Sequence, residues 1–355
     1  KIIDLSETAS IGGLWNRLAQ DLEMGYLGAG KVMGLAAYGK YDSKVHSIIK
    51  DYLETPNHKL SEEGKKVVKT SVKQDVAYTL QYATEELVRE QIIALKTSDN
   101  ICVAGGVAYN GYINEMLTTY YEKVHVPPAI GDEGQSIGTY MHADYVLNKN
   151  IHDTDVYSGE NYDFDTGNSK DLTIEERDFP SLTAYVSQAI ANGKIVGWFQ
   201  DKSESGNRAL GNRSILADPR NPQIKDAINS TIKKREDFRP FAPAVLEDHY
   251  QEYFDTNQPS PYMSRIVPVT SDKIPGITHV DGTARIQTVN RHNNRKFYDL
   301  IMEFYELTGI PMILNTSFNC QEPIVETPQE AIETFRKTNL DLLVINNYLI
   351  RKHND

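Results

Sequence analysis

The chain has 355 residues, of which 40% are hydrophobic and 24% charged, an ordinary globular composition long enough for two domains. Its net charge of -12 disfavours a general binder of nucleic acid or anionic membranes, and no run approaches the roughly 18 apolar residues of a membrane helix. The only two cysteines, Cys102 and Cys320, lie far apart, so we expect a reduced, cytoplasmic setting.

The first half of the chain alternates helical and strand patterns. Apolar side chains recur every 3.6 residues over residues 74–96, which predicts an amphipathic helix. A short apolar strand, Ile101–Ala104, breaks at Gly105-Gly106 before a new helical run from Ala108. The stretch VHVPPAIGDEGQSIGTYMHADYVL repeats the order of strand, loop and helix. Strands alternating with helices predict an α/β sheet.

The segment GLAAYGK, residues 34–40, has the spacing of a phosphate-binding P-loop. That motif also requires a preceding strand and a Ser or Thr at the next position, where this chain has Tyr41. We therefore interpret the segment as a glycine-rich structural loop. The chain has no local histidine motif and no G-x-S-x-G elbow, so neither a zinc hydrolase nor a serine hydrolase is supported.

Two glycine-containing loops of the first half are candidates for ligand binding. In AGGVAYN, Gly105 and Gly106 would let the backbone approach a phosphate at a helix N-terminus, although many such turns are purely structural. In GDEGQSIG, Asp132 and Glu133 open a helix. These carboxylates are either N-caps or ligands of a metal or a magnesium nucleotide.

Residues 151–180 contain nine Asp or Glu and two Lys or Arg, which predicts a solvated acidic linker at the domain boundary. We therefore expect one domain over residues 1–150 and another over residues 181–355. Helix and strand patterns resume after the linker in three pairs: SLTAYVSQAIANGK with IVGWFQ, KFYDLIMEFYELTG with MILN, and TPQEAIETFRKT with LDLLVIN.

Residues 201–240 form a positive island in this negative chain, with nine Lys or Arg and six Asp or Glu. Within it, SESGNRALGNRSILADPR brackets a glycine-spaced turn with Arg208, Arg213 and Arg220. Glycines combined with arginines in this way suggest a backbone held close to an anion.

Further polar and basic groups come from three other segments. KKREDFRPFAP places Lys233, Lys234, Arg235 and Arg239 together, and TARIQTV contributes Arg285. LNTSFN places Asn315, Ser317 and Asn319 on alternate positions after a strand. Each segment alone is most simply a solvated charged face. Together, their guanidinium, ammonium and amide groups suit a nucleoside triphosphate and a second small anion.

Seven motifs resemble those of the NodU/CmcH family of O-carbamoyltransferases, which includes the nodulation-factor, cephamycin and tobramycin carbamoyltransferases. They occur in the family's order and span nearly the whole chain: KVMGLAAYG, AGGVAYN, GDEGQSIG, ESGNRALGNRSILADPR, IKKREDFRPFAP, ARIQTV and LNTSFNCQEPIVETPQEA. The resemblance implies that residues 1–150 are the C-terminal part of an actin/Hsp70-like (ASKHA) domain. This domain would be similar to the ATPase-type protein of tRNA threonylcarbamoyladenosine synthesis. Residues 181–355 would form a YrdC-like α/β domain.

The resemblance also implies a two-step reaction. The YrdC-like domain would use ATP, Mg²⁺ and carbamoyl phosphate to form a carbamoyl-adenylate. The first domain would then transfer the carbamoyl group to a hydroxyl of a small molecule or nucleobase and release AMP. By the motif match, Gly105, Gly106 and Asn110 would contact the adenylate, and Asp132 would bind Fe²⁺. Six residues would line the site for ATP and carbamoyl phosphate: Arg208, Lys233, Arg239, Arg285, Asn315 and Ser317.

This chain differs from the family pattern in two respects. Asn207 occupies a position that is usually proline in the family. The family's two metal-binding histidines, spaced H-x-x-x-H, lie upstream of every matched motif, whereas this chain starts at Lys1. We therefore expect a fragment without its N-terminal lobe, a lobe supplied by another chain as in a dimer, or an incomplete transfer site. Two other functions stay open: a nucleotide-binding regulatory or scaffold protein without turnover, and a kinase of the actin-like superfamily.

Overall fold

The computed structural model describes residues 10–54, 60–152, 155–168 and 171–353. The chain forms two compact units. The first contains Lys1–His125 together with His279–Asp281, and the second contains Val126–Thr278 and Gly282–Asp355. A short segment from far along the chain thus belongs to the first unit, where Tyr112 Oη donates to Asp281 Oδ2 at 2.6 Å.

The first unit is mainly helical. Its α-helices are α1 Ile11–Asp21, α2 Ala29–Ala36, α3 Ser43–Glu54, α4 Glu62–Thr70, α5 Lys73–Leu95 and α6 Gly111–Leu117. Helix α5 confirms the amphipathic helix predicted over residues 74–96, and its buried side chains include Val76, Leu80 and Ala83. No helix in the described ranges is both long and apolar enough to cross a membrane.

Two short strands of the first unit, β1 Asn100–Cys102 and β2 Lys123–His125, pair in parallel. Strand β1 ends earlier than the predicted Ile101–Ala104. The helix predicted from Ala108 begins later, because Gly106–Tyr109 forms a 3₁₀ turn. Asn110 then caps α6, its side chain accepting from the Ile113 amide. Because a cap residue lies outside the helix, the capping contact sets the start at Gly111.

The segment GLAAYGK does not have the geometry of a phosphate-binding loop, and only part of it is a loop. Its first three residues are the last turn of α2, and no strand precedes it. A Cβ at Gly39 would lie 1.9 Å from the Gln74 carbonyl oxygen, so glycine is required there for close contact with α5. The structural interpretation of this segment is confirmed.

The second unit contains a nine-stranded mixed sheet with helices packed on it. Its helices are α7 Gln135–Asn148, α8 Phe179–Ala191, α9 Ile224–Ile228, α10 Arg295–Thr308 and α11 Pro328–Lys337. Its strands are β3 Leu172–Glu176, β4 Val196–Phe199, β5 Arg213–Ala217, β6 Ala242–Leu246, β7 Arg265–Pro268, β8 Thr283–Val289, β9 Met312–Ser317, β10 Leu342–Ile345 and β11 Tyr348–Lys352. The spatial order is β3-β11-β10-β4-β5-β9-β6-β8-β7, and only the pairs β4/β10 and β6/β8 are parallel. The mixed α/β class predicted from the alternating pattern is confirmed.

Part of the segment expected to be an acidic linker belongs to the sheet. Strand β3 pairs antiparallel with β11, so residues 172–176 are not linker. Leu172 is buried and Ile174 packs on the core, while Glu175 and Glu176 stay at the surface. A strand at the edge of a sheet accepts charged side chains on its outer face, which explains why composition misled here. Residues 153–154 and 169–170 of the same segment lie outside the described part of the chain.

Helix ends in the second unit follow local capping rules. The Asp178 side chain accepts from the Ser181 amide at the start of α8, and Thr327 and Glu330 form a capping box at the start of α11. Helix α10 ends at Gly309, which has φ +71°. Helices α8 and α10 pack against each other over the fully buried central strands.

Gly197 lies in the middle of the buried strand β4 because there is no room for a side chain. A Cβ at this position would lie 2.8 Å from Phe318 Cζ and 3.2 Å from Leu343 Cδ1. Both neighbours are fully buried, so neither can move into solvent.

We expect Gly197→Ala to lower the free energy of unfolding by about 1–3 kcal/mol, because the added methyl overpacks the core. Gly138→Ala is the matched control: a Cβ there meets nothing within 4 Å inside α7, so the variant should gain up to about 1 kcal/mol. Urea unfolding of the three proteins measures both values. Equal stability of the two variants would contradict this account of β4.

Candidate functional site

The loop between β4 and β5 surrounds a carboxylate of the protein itself, that of Glu204. Glu204 Oε1 accepts from the amides of Leu210 at 2.6 Å, Asn212 at 2.8 Å and Arg213 at 3.3 Å. The loop therefore matches the prediction of a backbone close to negative charge, but its own carboxylate occupies these three amides. Burial raises the pKa of Glu204, and the amide hydrogen bonds oppose that rise.

Two glycines of this loop are required by geometry. Gly206 has φ +94° and Gly211 has φ +111°, a region that disfavours residues with a Cβ. A Cβ on Gly211 would lie 2.2 Å from the Phe297 ring. These contacts fix the loop against α10 and so fix the position of Arg208 within it.

The three arginines that bracket the loop have different roles. Arg213 is fully buried, donates to the carbonyls of Gln200, Asn212 and Asp201, and lies 3.5 Å above the Phe199 ring. It is therefore structural. Arg220 is also structural, because it forms a bidentate ion pair with Asp218 and donates to Ala191 O.

Arg208, the remaining arginine, belongs to a cluster of positive charges. The charge of Arg208 is the first cause that lowers the pKa of Arg285 well below its ordinary range, followed by burial and by Arg235 and Arg239. Arg285 Nε is buried without a hydrogen-bond partner in the described part of the chain. Cations that share a poorly solvated region repel one another, so this arrangement favours a bound anion.

Lys233 is the most enclosed member of the cluster. It ends a π-helical turn, Asn229–Lys233, and only 2% of it is exposed. Nζ donates to Ser317 O at 2.5 Å and Oγ at 3.1 Å, and to Asn319 O at 3.1 Å and Oδ1 at 2.6 Å. Burial first, then the charges of Arg235 and Arg239, lower the pKa of Lys233 well below its ordinary value.

Arg239 and Arg235 border this site from the segment after the π-helical turn. Arg239 forms a long ion pair with Glu236, 3.7 Å between Nη1 and Oε2, and its side chain is 36% exposed. Arg235 Nε donates to Asn229 Oδ1 at 2.7 Å, and burial followed by Arg239 lowers its pKa. Arg239 therefore keeps more contact with solvent than Lys233 does.

Strands β8 and β9 present the remaining predicted groups. Strand β6 lies between β8 and β9: its Ala242 pairs with Asn315 of β9, and its Ala244 pairs with Gln287 of β8. Because side chains alternate between the two faces of a sheet, Arg285, Gln287 and Asn315 lie on the same face. Asn315 Nδ2 donates to Gln287 Oε1 at 2.8 Å and to Ala209 O at 3.3 Å. Electrostatic interactions link Arg285 to Arg208 and Arg239, and Lys233 donates to Ser317. Asn315 lies on the same face of the sheet as Arg285.

Two of the residues predicted for the first domain, Gly106 and Asn110, border a cleft of about 150 Å³ in the first unit. Gly106 and Asn110 line it together with Trp15 and Met33, and Gly105 adopts φ +93° beside them. The lining residues are mostly apolar or glycine. The Asn110 side chain is already engaged, because it exchanges hydrogen bonds with Gln81 and caps α6.

Asp132 opens a 3₁₀ turn in the second unit, before α7. Its Oδ1 accepts from Gln135 Nε2 at 3.0 Å, which is a local contact at a helix start. Across the residues that the structure describes, no group of three His, Cys, Asp or Glu is arranged to hold a metal ion. Asp132 is not an N-cap either, because Gly131 caps the 3₁₀ turn and Gly134 caps α7, and Asp132 accepts from a side-chain amide.

Three polar residues of the site were not predicted as site residues from sequence: Arg235, Gln287 and Glu204. Arg235 lies between Lys233 and Arg239 in a basic run, and Gln287 lies two positions after Arg285 in a strand. The strand period could have identified Gln287. Glu204 had no sequence signal, because its role depends on how the loop closes.

Comparison with known proteins matches two parts of the chain, and the first match extends from the first unit into the second. A family model described as Carbamoyltransferase N-terminus matches residues 11–141, and one described as Carbamoyltransferase C-terminus matches residues 187–352. The nodulation protein NolO of Bradyrhizobium diazoefficiens is 35% identical over 393 aligned residues, covering 99% of this chain and 71% of that protein. This chain belongs to the carbamoyltransferase family.

Other relatives are longer than this chain. The nodulation protein NolNO of Sinorhizobium fredii is 36% identical over 384 aligned residues, covering 98% of this chain but 56% of that protein. Nodulation protein U of Rhizobium fredii is 36% identical over 227 residues, covering 62% of this chain and 38% of that protein. The chain therefore spans only part of the length of these relatives. Among solved structures, full-length HypF in its phosphate- and nucleotide-bound form aligns with a TM-score of 0.34 at 18% identity, over 52% of this chain and 22% of that one.

Replacing Arg213 and Arg285 by methionine should have opposite effects on stability. Arg213→Met leaves three carbonyl groups without their donor, so we expect a loss of about 2–4 kcal/mol in the free energy of unfolding. Arg285→Met removes a repelled cation whose Nε has no partner, so we expect a gain of about 1 kcal/mol. Urea unfolding in a buffer without phosphate or sulfate measures both. A loss of stability in Arg285→Met as large as that in Arg213→Met would show that the cluster is not repulsive.

Proposed function

We propose that this chain is an ATP-dependent O-carbamoyltransferase. In the proposed reaction, carbamoyl phosphate loses its phosphate to water, and the resulting carbamate oxygen attacks the α-phosphorus of ATP. Pyrophosphate leaves and a carbamoyl-adenylate forms. A hydroxyl of a small-molecule or nucleobase acceptor then attacks the carbamoyl carbon, and AMP leaves. We also infer that the second unit is YrdC-like and that the first is part of an actin/Hsp70-like domain, on the strength of the motif resemblance.

The observation that carries the proposal is the cluster of Arg208, Arg285, Arg235, Arg239 and Lys233. The pKa values of Lys233, Arg235 and Arg285 are all lowered, partly by the charges of other cluster members. A polyphosphate would relieve this repulsion, and guanidinium groups match its oxygens in pairs. A solvated charged face would show neither burial nor mutual repulsion of this kind.

Each group of the cluster has a role that its position allows. Arg285 and Arg208 would neutralise the charge that develops on the pyrophosphate leaving group. Lys233, held by Ser317 and Asn319, would supply a fixed point charge to the phosphate of carbamoyl phosphate. Arg239, with its more exposed side chain, would contact the outer phosphates of ATP, which enters as its Mg²⁺ complex.

The cleft lined by Gly106 and Asn110 is our candidate for the adenylate in the transfer step. Its glycine backbone lets a ligand approach closely, and Trp15 offers an aromatic edge for a base. Asn110 would hold the loop in place rather than bind the adenylate, because its side-chain amide donates to Gln81. The residues around Asp132 do not form a metal site by themselves, so we assign no step of the reaction to iron.

The first test is product analysis with the purified chain, ATP, Mg²⁺ and carbamoyl phosphate. We expect pyrophosphate to form only when carbamoyl phosphate is present, and we expect Arg208→Ala and Arg285→Met to slow its release about 100-fold or more. Arg291→Ala is the control, because the Arg291 side chain is 61% exposed and its ion pair with Asp299 is long, 3.8 Å between Nε and Oδ1.

Two other product patterns would overturn this proposal. Formation of ADP without AMP or pyrophosphate would indicate a kinase. ATP binding to the folded chain with neither product would indicate a regulatory or scaffold protein.

A second test addresses the cleft of the first unit. We expect AMP to change the fluorescence of Trp15, and Gly106→Val to weaken AMP binding about tenfold or more, because a Cβ there meets nothing within 4 Å and the new side chain enters the cleft. Gly138→Ala lies outside this cleft and serves as the control. Equal AMP affinity in wild type and Gly106→Val would remove the cleft from the proposal.

A further inference from the structure

A short relay of amides connects β8 and β9, the two strands that flank β6 in the sheet. Gln287 Nε2 donates to the carbonyl oxygen of Leu210 at 2.8 Å, and Gln287 Oε1 accepts from Asn315 Nδ2 at 2.8 Å. A backbone carbonyl can only accept, so it fixes which end of the Gln287 amide faces Asn315. The same Asn315 Nδ2 also donates to Ala209 O, which fixes the Asn315 amide as well.

This relay leaves one acceptor unsatisfied. Asn315 is 1% exposed, and its Oδ1 has no hydrogen-bond partner in the part of the chain that the structure describes. Buried acceptors are nearly always satisfied, so an exception at a site requires an explanation. Arg285, two residues before Gln287 on the same face of β8, has a buried Nε that also lacks a partner. The site therefore combines a cationic donor with a neutral acceptor.

We propose that Gln287 is a positioning residue that orients Asn315 as an acceptor, and that this orientation selects an acyl phosphate carrying an N–H group. The proposal rests on the proposed function and concerns the same site. Asn315 Oδ1 would accept from the amide nitrogen of carbamoyl phosphate, while the cations bind its phosphate. Gln287 would contact Asn315 and not the substrate.

Charge alone cannot provide this selection. Acetyl phosphate has the phosphate and carbonyl of carbamoyl phosphate, with a methyl group in place of NH₂. Arg285, Arg208 and Lys233 would attract both molecules equally. A methyl group cannot donate, so its binding would leave Asn315 Oδ1 buried and unpaired, which is the arrangement by which polar sites reject analogues.

The test compares carbamoyl phosphate with acetyl phosphate as ligands and as substrates. Isothermal titration gives the ratio of their dissociation constants, and pyrophosphate release gives the ratio of their kcat/KM values. We expect wild type to favour carbamoyl phosphate by roughly tenfold or more in both ratios. Gln287→Met removes the shorter of the two hydrogen bonds that hold Asn315 Nδ2 and leaves only the 3.3 Å contact with Ala209 O. The Asn315 amide is then less firmly oriented, so both ratios should fall about tenfold.

Thr288→Val is the matched control. Thr288 follows Gln287 on the opposite face of β8, is 2% exposed, and its Oγ1 accepts from the Ser260 amide at 3.0 Å. Its replacement removes a buried hydrogen bond from the same strand, so it should lower the melting temperature about as much as Gln287→Met. Its ligand ratios should stay within about twofold of wild type.

A double variant tests whether Gln287 acts through Asn315. In an Asn315→Ala background, Gln287→Met should leave both ratios unchanged, because the acceptor that it positions is already gone. An unchanged ratio in the folded single variant Gln287→Met would overturn the inference. Selective binding without any pyrophosphate release in wild type would instead overturn the proposed adenylation while supporting the inference.

Discussion

Mutual repulsion among clustered cations is a constraint that the second unit must accommodate. The nine-stranded sheet brings Arg285 from β8 near Arg208 from the loop between β4 and β5, and the π-helical turn adds the buried Lys233. Each of these groups would be more stable in water than beside the others. The fold tolerates the arrangement because β4, β5, β6 and β9 bury large apolar surfaces around it. Such a concentration of unfavourable charge is typical of sites that bind phosphates.

Two arginines of the glycine-spaced segment maintain the structure of the second unit through acceptors in their immediate surroundings. Arg213 is surrounded by carbonyl oxygens and Arg220 is paired with Asp218, so both are neutralised locally. Glu204 similarly satisfies the amides of the glycine loop, which holds that loop rigid beside the site. Rigid surroundings are what a site needs to keep several charges fixed before a ligand arrives.

Membership of the carbamoyltransferase family rests on similarity along both halves of the chain, whereas the geometry differs between the two units. The second unit assembles the charged and amide groups expected for chemistry on phosphates, all from its own strands and loops. The first unit offers a mainly apolar cleft with a glycine backbone. In the proposed reaction, the adenylation step would use the charged groups of the second unit and the transfer step would use the apolar cleft of the first.

Local rules determined much of this protein from its sequence. The period of α5, the strand IVGWFQ, the caps of α8 and α11, and the mixed α/β class follow from spacing and capping chemistry within a few residues. The family resemblance added a prediction of six site residues in the second unit. Sequence could not show that Arg208 and Arg213 differ in role, since they lie five positions apart in the same loop. Their different surroundings come from Phe199, Gln200 and the strands β8 and β9, which are distant in sequence. Tertiary structure also decided that Glu204 occupies the loop amides and that Gln287 orients Asn315, because a hydrogen bond depends on where two separated segments meet.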